Sequence, residues 1–577
     1  MLRTRLREHI PGRNYLDHEP KHPRVTRISD LIRHSSFVTC SRFIGVHHLP
    51  ALFIALVLIL CGCLHREPQA DIVIINGTEP ESLDPAIVTG VPEMRLTKAL
   101  FEGLLRLEGK SGRPAPGLAE RWEVSPDRTT YTFYLRSNAV WSTGEPITTA
   151  DFVYSWRRAL EPATAADYAG QLFYVKNAEA YYLGKIKDPG QVGVKALDSL
   201  RLQVELEHPV AFFPDLCCVP MLAVVPRRAI EKYGDRWLTH VPLPVSGPYE
   251  LEAWRLNDKV RLRKNPLYWD AAHTRNELID VLPTGSPNTA LNLYETGVAD
   301  IVWDRDLVPV ELQDVLMQRP DFHTFDYLGV FFYRFNVTRK PLDDARVRRA
   351  IALATDKERI IKKLTRGGEK PAFHFVPDGV ANYESPPGPR FNPDLARRLL
   401  AEAGFPGGKG FPRMEYTFYS AASGGAKMQG KIAIELQQMW RENLGIEIEL
   451  RQIERKIFLG AQSRLEYDIS GSSWIGDYND ANTFLDLCLS NSGNNRTGWK
   501  SARYDELVEQ ANMQADLQRR AELFRQAENV LVAEEAPIVP VYFYAGFNYF
   551  NPAKIDGIHQ NLLDEHPMQD IARRTRE

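Results

Sequence analysis

The sequence predicts a multi-lobed α/β protein, and three observations carry that expectation. Strand-like and helix-like stretches alternate in type along most of the 577 residues. No internal repeat, low-complexity tract or long linker interrupts them. With 44% hydrophobic and 25% charged residues, the chain has the apolar material for a large core and is not a disordered polymer.

Residues 1–50 hold nine Lys/Arg, four Asp/Glu and six His, and Ala51 to Leu60 follow as ten uncharged apolar residues. Ten residues are too few to cross a bilayer, which takes about 20 in a helix, but they suit the apolar region of an export signal. Leu60-Cys61-Gly62-Cys63 comes next, with a branched residue three places before Cys63 and a small one directly before it. This pattern resembles the bacterial lipobox. The resemblance implies cleavage before Cys63, a lipid on its thiol, and an N-terminal extension and signal peptide over residues 1–62.

Beyond Cys63 the elements declare themselves by period and punctuation. Thr129 to Arg136 alternates Tyr131, Phe133 and Leu135 with Thr130, Thr132 and Tyr134, and Arg201 to Glu207 alternates Leu202, Val204 and Leu206 with polar neighbours. Both predict half-buried strands. Thr148-Thr149-Ala150-Asp151 has the form of a capping box ahead of Phe152, Val153, Trp156 and Leu160. Asn392-Pro393 opens a helix through Leu395, Leu399 and Leu400 that stops at Gly404. A longer helix from about Lys427 to Asn443 ends near Gly445, and the strand Ile446, Ile448, Leu450 follows at once. Towards the C-terminus, Tyr504 to Ala533 is predicted as helix and Ile538 to Tyr544 as an apolar strand.

Charge and motif content exclude several functions. A net charge of −3 offers no basic surface for nucleic acid. Metalloprotease H-E-x-x-H, the G-x-S-x-G elbow, the P-loop and G-x-G-x-x-G are all absent, since Gly408-Lys409-Gly410 lacks the third glycine. The chain is therefore expected to be no enzyme and to need no cofactor. Asp477, Asn479 and Asp480 begin like a calcium loop, but Ala481, Asn482 and Cys488 stand where an EF-hand needs Asp/Asn, Gly and Glu, so no metal is expected. Cys217, Cys218 and Cys488 read as buried thiols, with a bridge from Cys488 to Cys217 or Cys218 as the alternative.

A colinear series of segments resembles the dipeptide- and oligopeptide-binding proteins of bacterial ABC importers. It runs from Asn76-Gly77-Thr78-Glu79 and Ser82-Leu83-Asp84-Pro85 through Leu100-Phe101-Glu102-Gly103-Leu104 and Pro116-Gly117-Leu118-Ala119-Glu120 with Trp122. Trp141 to Pro146, Asp151 to Trp156, Asn265-Pro266 with Tyr268-Trp269, Arg346 to Ala350, Leu400 to Phe405 and Gly476-Asp477-Tyr478-Asn479-Asp480 complete it. The resemblance implies a two-lobed, type II periplasmic-binding-protein-like clamshell with an additional third domain. It places lobe I at 63–101, 227–328 and 545–577, the additional domain at 102–226, and the other lobe at 329–544. It further implies a monomer that captures oligopeptides outside the cytoplasm, tethered to a membrane by its lipid, and delivers them to an ABC permease. A different solute (a murein peptide, haem, a nickel chelate or an oligosaccharide) on the same fold is the alternative, as is a signalling or adhesion lipoprotein.

A peptide enclosed by two lobes loses water from every main-chain donor and acceptor, so each must find a partner. An extended ligand laid against strand edges meets that need. The resemblance assigns backbone partners to Thr89-Gly90-Val91 and to Ser473 and Ile475 flanking Trp474. It also assigns the ammonium anchor to Asp477 in the W-x-x-D-Y-N motif Trp474, Asp477, Tyr478, Asn479, and a ligand-facing ring to Tyr168. A buried ammonium needs a carboxylate, which supports the Asp477 assignment on physical grounds. Where the family places cations for the ligand's carboxylate, this chain has Thr365, Gln429, Gln462 and Gly471. Arg366, Arg455 and Arg464 lie near those places in sequence and are the candidate substitutes.

Overall fold

The structure, a computed structural model, describes residues 67–240, 242–420 and 424–574. Cys63 and the export signal expected before it lie outside the described residues. The body of the molecule is built on an eleven-stranded mixed sheet that serves two lobes. In the first, the apolar strand Ile72–Ile75 lies parallel to both Leu278–Leu282 and Ile301–Trp303, and an antiparallel pair, Tyr249–Arg255 and Lys259–Lys264, extends the sheet. In the second, Met414–Ser420 lies parallel to Ile448–Glu454 and, for two residues, to Ile469–Ile475.

Two long antiparallel strands, Phe322–Phe335 and Ile538–Tyr549, join the halves. One half of the pair, Phe322 to Asp326 against Tyr549 to Ala545, adjoins the first lobe, and Val330 to Arg334 against Phe543 to Ile538 belongs to the second. Their register shifts between Asp326 and Val330, so the ladder is broken where the lobes meet. The second strand runs five residues past the apolar stretch that predicted it, because Ala545, Phe547 and Tyr549 are buried in the first lobe's core.

A separate four-stranded antiparallel sheet, in the order Ala119–Val124, Thr130–Leu135, Arg201–Glu205, Val194–Ala196, forms the third unit. Tyr131, Phe133 and Leu135 bury one face of it, as their alternation demands. Against them packs the helix Thr149–Leu160, whose Phe152, Trp156 and Leu160 are wholly buried. Asp151 accepts from the Thr148 backbone N–H at 2.8 Å, which fixes the start of that helix.

Other boundaries follow their punctuation: Asn392 caps Pro393–Glu402 through the Leu395 N–H at 3.0 Å, and Gly404 ends it at φ +101°. Two expectations need correction. The predicted helix over 504–533 is two helices, Ala502–Asn512 and Leu517–Asn529, because the Asp516 carboxylate accepts from the Gln518 and Arg519 N–H groups and starts a new one. Cys217, Cys218 and Cys488 are all free and buried, so the bridge alternative fails. No helix among the described residues is long and apolar enough to cross a membrane.

Candidate functional site

The strand Ile469–Ile475 has the sequence ISGSSWI and carries the site. One edge pairs along its whole length with Phe335 to Gly329. The other meets Met414–Ser420 only at Ile469 and Ser470. From Gly471 to Ile475 that second edge has no partner strand among the described residues, and from Ser472 onward, past the Gly471 carbonyl that Gln462 holds, its main-chain groups are open to a ligand. Small residues keep it so: a Cβ at Gly471 would stand 2.9 Å from Tyr416 Oη, and one at Gly476 would stand 2.6 Å from a Leu328 methyl.

Asp477 follows immediately, half-buried, with its N–H donated to Thr483 Oγ1 at 3.3 Å. Burial alone pushes its carboxyl up to about 6. Its charge is offset by no cation within ion-pair distance among the described residues, so the group suits a cationic guest. Tyr168, from the third unit, is brought close: its phenol is pushed up to about 12 by burial and then by the negative charge of Asp477.

The other two motif residues have internal partners. Tyr478 is 7% exposed, stacks on Phe212 of the third unit with centroids 4.3 Å apart, and donates to Asn482 Oδ1 at 2.5 Å. Asn479 Oδ1 accepts from the Ala381 N–H at 3.1 Å. Both therefore fix the segment that presents Asp477. A pairing that sequence reasoning missed does the same: Asp480 and Arg520, both nearly inaccessible, join through two bonds of 2.7 Å.

Two cavities of about 100 and 220 Å³ flank this strand and share Tyr419, Gln429 and Ser473. The smaller spans both lobes, from Arg305 and Val308 to Tyr542 and Phe547. The larger is lined by Trp474, Arg334, Arg455 and Arg496 among others. Gln429 Oε1 and Trp474 Nε1 are buried without hydrogen-bond partners, as befits groups that wait for a ligand or water. Gln462 is occupied, donating to Ser470 Oγ at 2.8 Å and to the Gly471 carbonyl at 3.1 Å, and Thr365 is fully buried.

Of the candidate cations, Arg455, itself exposed, lines the larger of these two cavities. Arg366 is exposed and paired with Asp314 at 2.7 Å, and Arg464 is exposed and paired bidentately with Glu466 at 2.8 Å, so each stands in a surface ion pair. Thr89 and the extended Gly90 form an accessible entry to the helix Val91–Leu100, whose first residue, Val91, is exposed. Arg305, Arg334 and Arg496 were not singled out from sequence. Among the described residues no cluster of His, Cys, Asp or Glu could hold a metal.

A two-lobed α/β fold with an open strand edge, an uncompensated carboxylate, one cavity that spans both lobes and another beside it has the make-up of a solute-binding protein. Comparisons agree: the family described as bacterial extracellular solute-binding proteins, family 5 Middle, matches residues 113–496. The periplasmic oligopeptide-binding protein OppA of Salmonella typhimurium is 37% identical over 488 residues, covering 83% of this chain and 88% of its own. Among solved structures, the murein tripeptide binding protein MppA of Escherichia coli is similar with TM-score 0.74 and 32% identity, covering 88% of this chain and 99% of its own. Haemophilus influenzae OppA in complex with RPPGFSPFR is similar with TM-score 0.72 and 30% identity, covering 88% and 100%. The chain belongs to family 5 of the bacterial extracellular solute-binding proteins.

Proposed function

We propose that this protein captures oligopeptides outside the cytoplasm and delivers them to the permease of an ABC importer, as a binding protein and not an enzyme. The observation that carries this reading is the unpaired edge of Gly471 to Ile475 ending at Asp477. An extended peptide bonds its main chain to that edge and its ammonium to Asp477, while the adjoining cavities take its side chains. The lobes divide at 328/329 and 544/545, with the additional domain at 102–226. The break in register between Asp326 and Val330 supports hinge motion there. The names of the relatives support the ligand class. Mass spectrometry of small molecules released from the purified protein tests it: peptides are expected, and a non-peptide solute would refute it.

The carboxylate of Asp477 must be ionised to pair with an ammonium, and burial places its titration near 6. Protonation below that value costs binding, so affinity for a free-amine peptide is expected to be level above about pH 7 and roughly tenfold weaker at pH 5. Asp215, pushed up to about 7, and Asp486, pushed up to about 6, titrate in the same window. An N-acetylated peptide controls for them, because it lacks the ammonium and should show a flatter profile by calorimetry. Parallel profiles for the two peptides would contradict the assignment.

The protein acts as a monomer held to a membrane by a lipid on Cys63. The apolar run before Leu60-Cys61-Gly62-Cys63 supports the anchor. Cys63→Ala is expected to abolish incorporation of labelled fatty acid and release the protein in soluble form, and continued acylation would refute it.

A further inference from the structure

The larger cavity beside the strand Ile469–Ile475 has three guanidinium groups in its lining, from Arg334, Arg455 and Arg496, and no carboxylate. Arg334 is 5% exposed, donates to Ser472 Oγ at 2.7 Å and to the Asn494 carbonyl at 3.3 Å, and leaves its Nε buried without a partner. The Nε of Arg496 is buried and unpartnered as well. None of the three forms an ion pair with another described residue, whereas the neighbouring Arg464 and the more distant Arg366 and Arg520 each do. Burial together with the nearby charge of Arg496 lowers the affinity of Arg334 for its own proton. Arg496 is half-buried and Arg455 exposed, so the cost of like charges gathered without a counter-charge falls chiefly on the buried Arg334, and an anion entering the cavity relieves it.

We infer that Arg334, Arg455 and Arg496 form an anion subsite that pairs with a carboxylate of the bound ligand. This deepens the peptide reading and rests on it. Ser472, which fixes Arg334, lies five positions before Asp477. At about 3.3 Å per extended residue, five positions put the two charged ends of the site roughly 16 Å apart. A ligand running beside that edge has the same rise per residue, so its carboxylate stands about three to five residues from its ammonium. The planar guanidinium forks suit a carboxylate bidentately and stay charged throughout the physiological pH range. The subsite thus replaces the cations absent at Thr365, Gln429, Gln462 and Gly471, using residues that come from a different strand, a helix start and a loop.

Two carboxylates can fill it: the ligand's C-terminus or an acidic side chain. Calorimetry on the full chain separates them. The probes are tetra-alanine, its C-terminal amide, and tetra-alanine with Glu or Gln at its second or third position. Amidation weakening binding at least tenfold assigns the C-terminus, and a tenfold advantage of Glu over Gln assigns a side chain. Either difference should shrink below about twofold in the Arg455→Gln, Arg496→Gln double variant, which spares the most buried of the three. Equal affinity across all probes would overturn the subsite while leaving peptide capture intact. Differences that persist unchanged in the double variant would overturn the assignment to these arginines. Failure of every probe to bind would remove the peptide reading and the subsite together.

Discussion

Asp477→Asn is expected to weaken a free-amine peptide by about 2–5 kcal/mol, the range for removing one partner of a buried, hydrogen-bonded charge pair. The size follows from what surrounds the carboxylate. No described cation offsets it, burial holds its proton affinity up, and the residues around it, Tyr478, Asn479 and Asp480, are tied to internal partners. The segment therefore keeps its shape while losing its charge. An amide of the same size leaves an ammonium desolvated and facing a neutral dipole. A matched N-acetylated peptide brings no ammonium and should lose little on the same substitution. Calorimetry on the two peptides checks this, and equal losses would take Asp477 out of the anchoring role.

The second large effect is on stability. Asp480→Ala should cost about 3–5 kcal/mol, because it strands the Arg520 guanidinium in a site with almost no access to water. Arg520 lies over the Phe524 ring at 4.6 Å, and Phe212 of the third unit is within 5.9 Å. Replacing both partners by apolar residues of similar volume, Asp480→Leu with Arg520→Met, should cost much less. Urea denaturation followed by tryptophan fluorescence measures both. A loss below about 1 kcal/mol for Asp480→Ala would show the pair to be solvated. Since Asp480 is three residues from Asp477, the single variant should also weaken peptide binding, by loosening the anchor's support.

Much of this was legible in the sequence because local chemistry decided it. The capping interaction at Thr148 and Asp151, the alternation of Tyr131, Phe133 and Leu135, and the glycine stop at Gly404 each act within a few residues. The W-x-x-D-Y-N motif was legible through the family resemblance, and its Asp477 stands just past the open strand edge. What sequence left hidden depends on distant parts of the chain. Arg334 sits in a run dominated by aromatic residues and is brought to Ser472 only by strand pairing across 138 positions. Arg496 reaches the same cavity from a loop. Matching positions to a family could report that cations were missing at Thr365, Gln429, Gln462 and Gly471, but not where others had arisen. Proximity in sequence pointed to Arg366 and Arg464, and both spend their charge on surface carboxylates. The break at Asp516 was signalled by a good capping residue that the apolar periodicity on either side outweighed.

A crystal structure of the protein with a bound tetrapeptide tests the central claim most directly. The expected density is an extended peptide whose main chain bonds the free edge of Ser472 to Ile475, with its ammonium within about 3 Å of an Asp477 carboxylate oxygen. A peptide seated elsewhere, or an Asp477 side chain turned to solvent with the strand edge still bare, would contradict it.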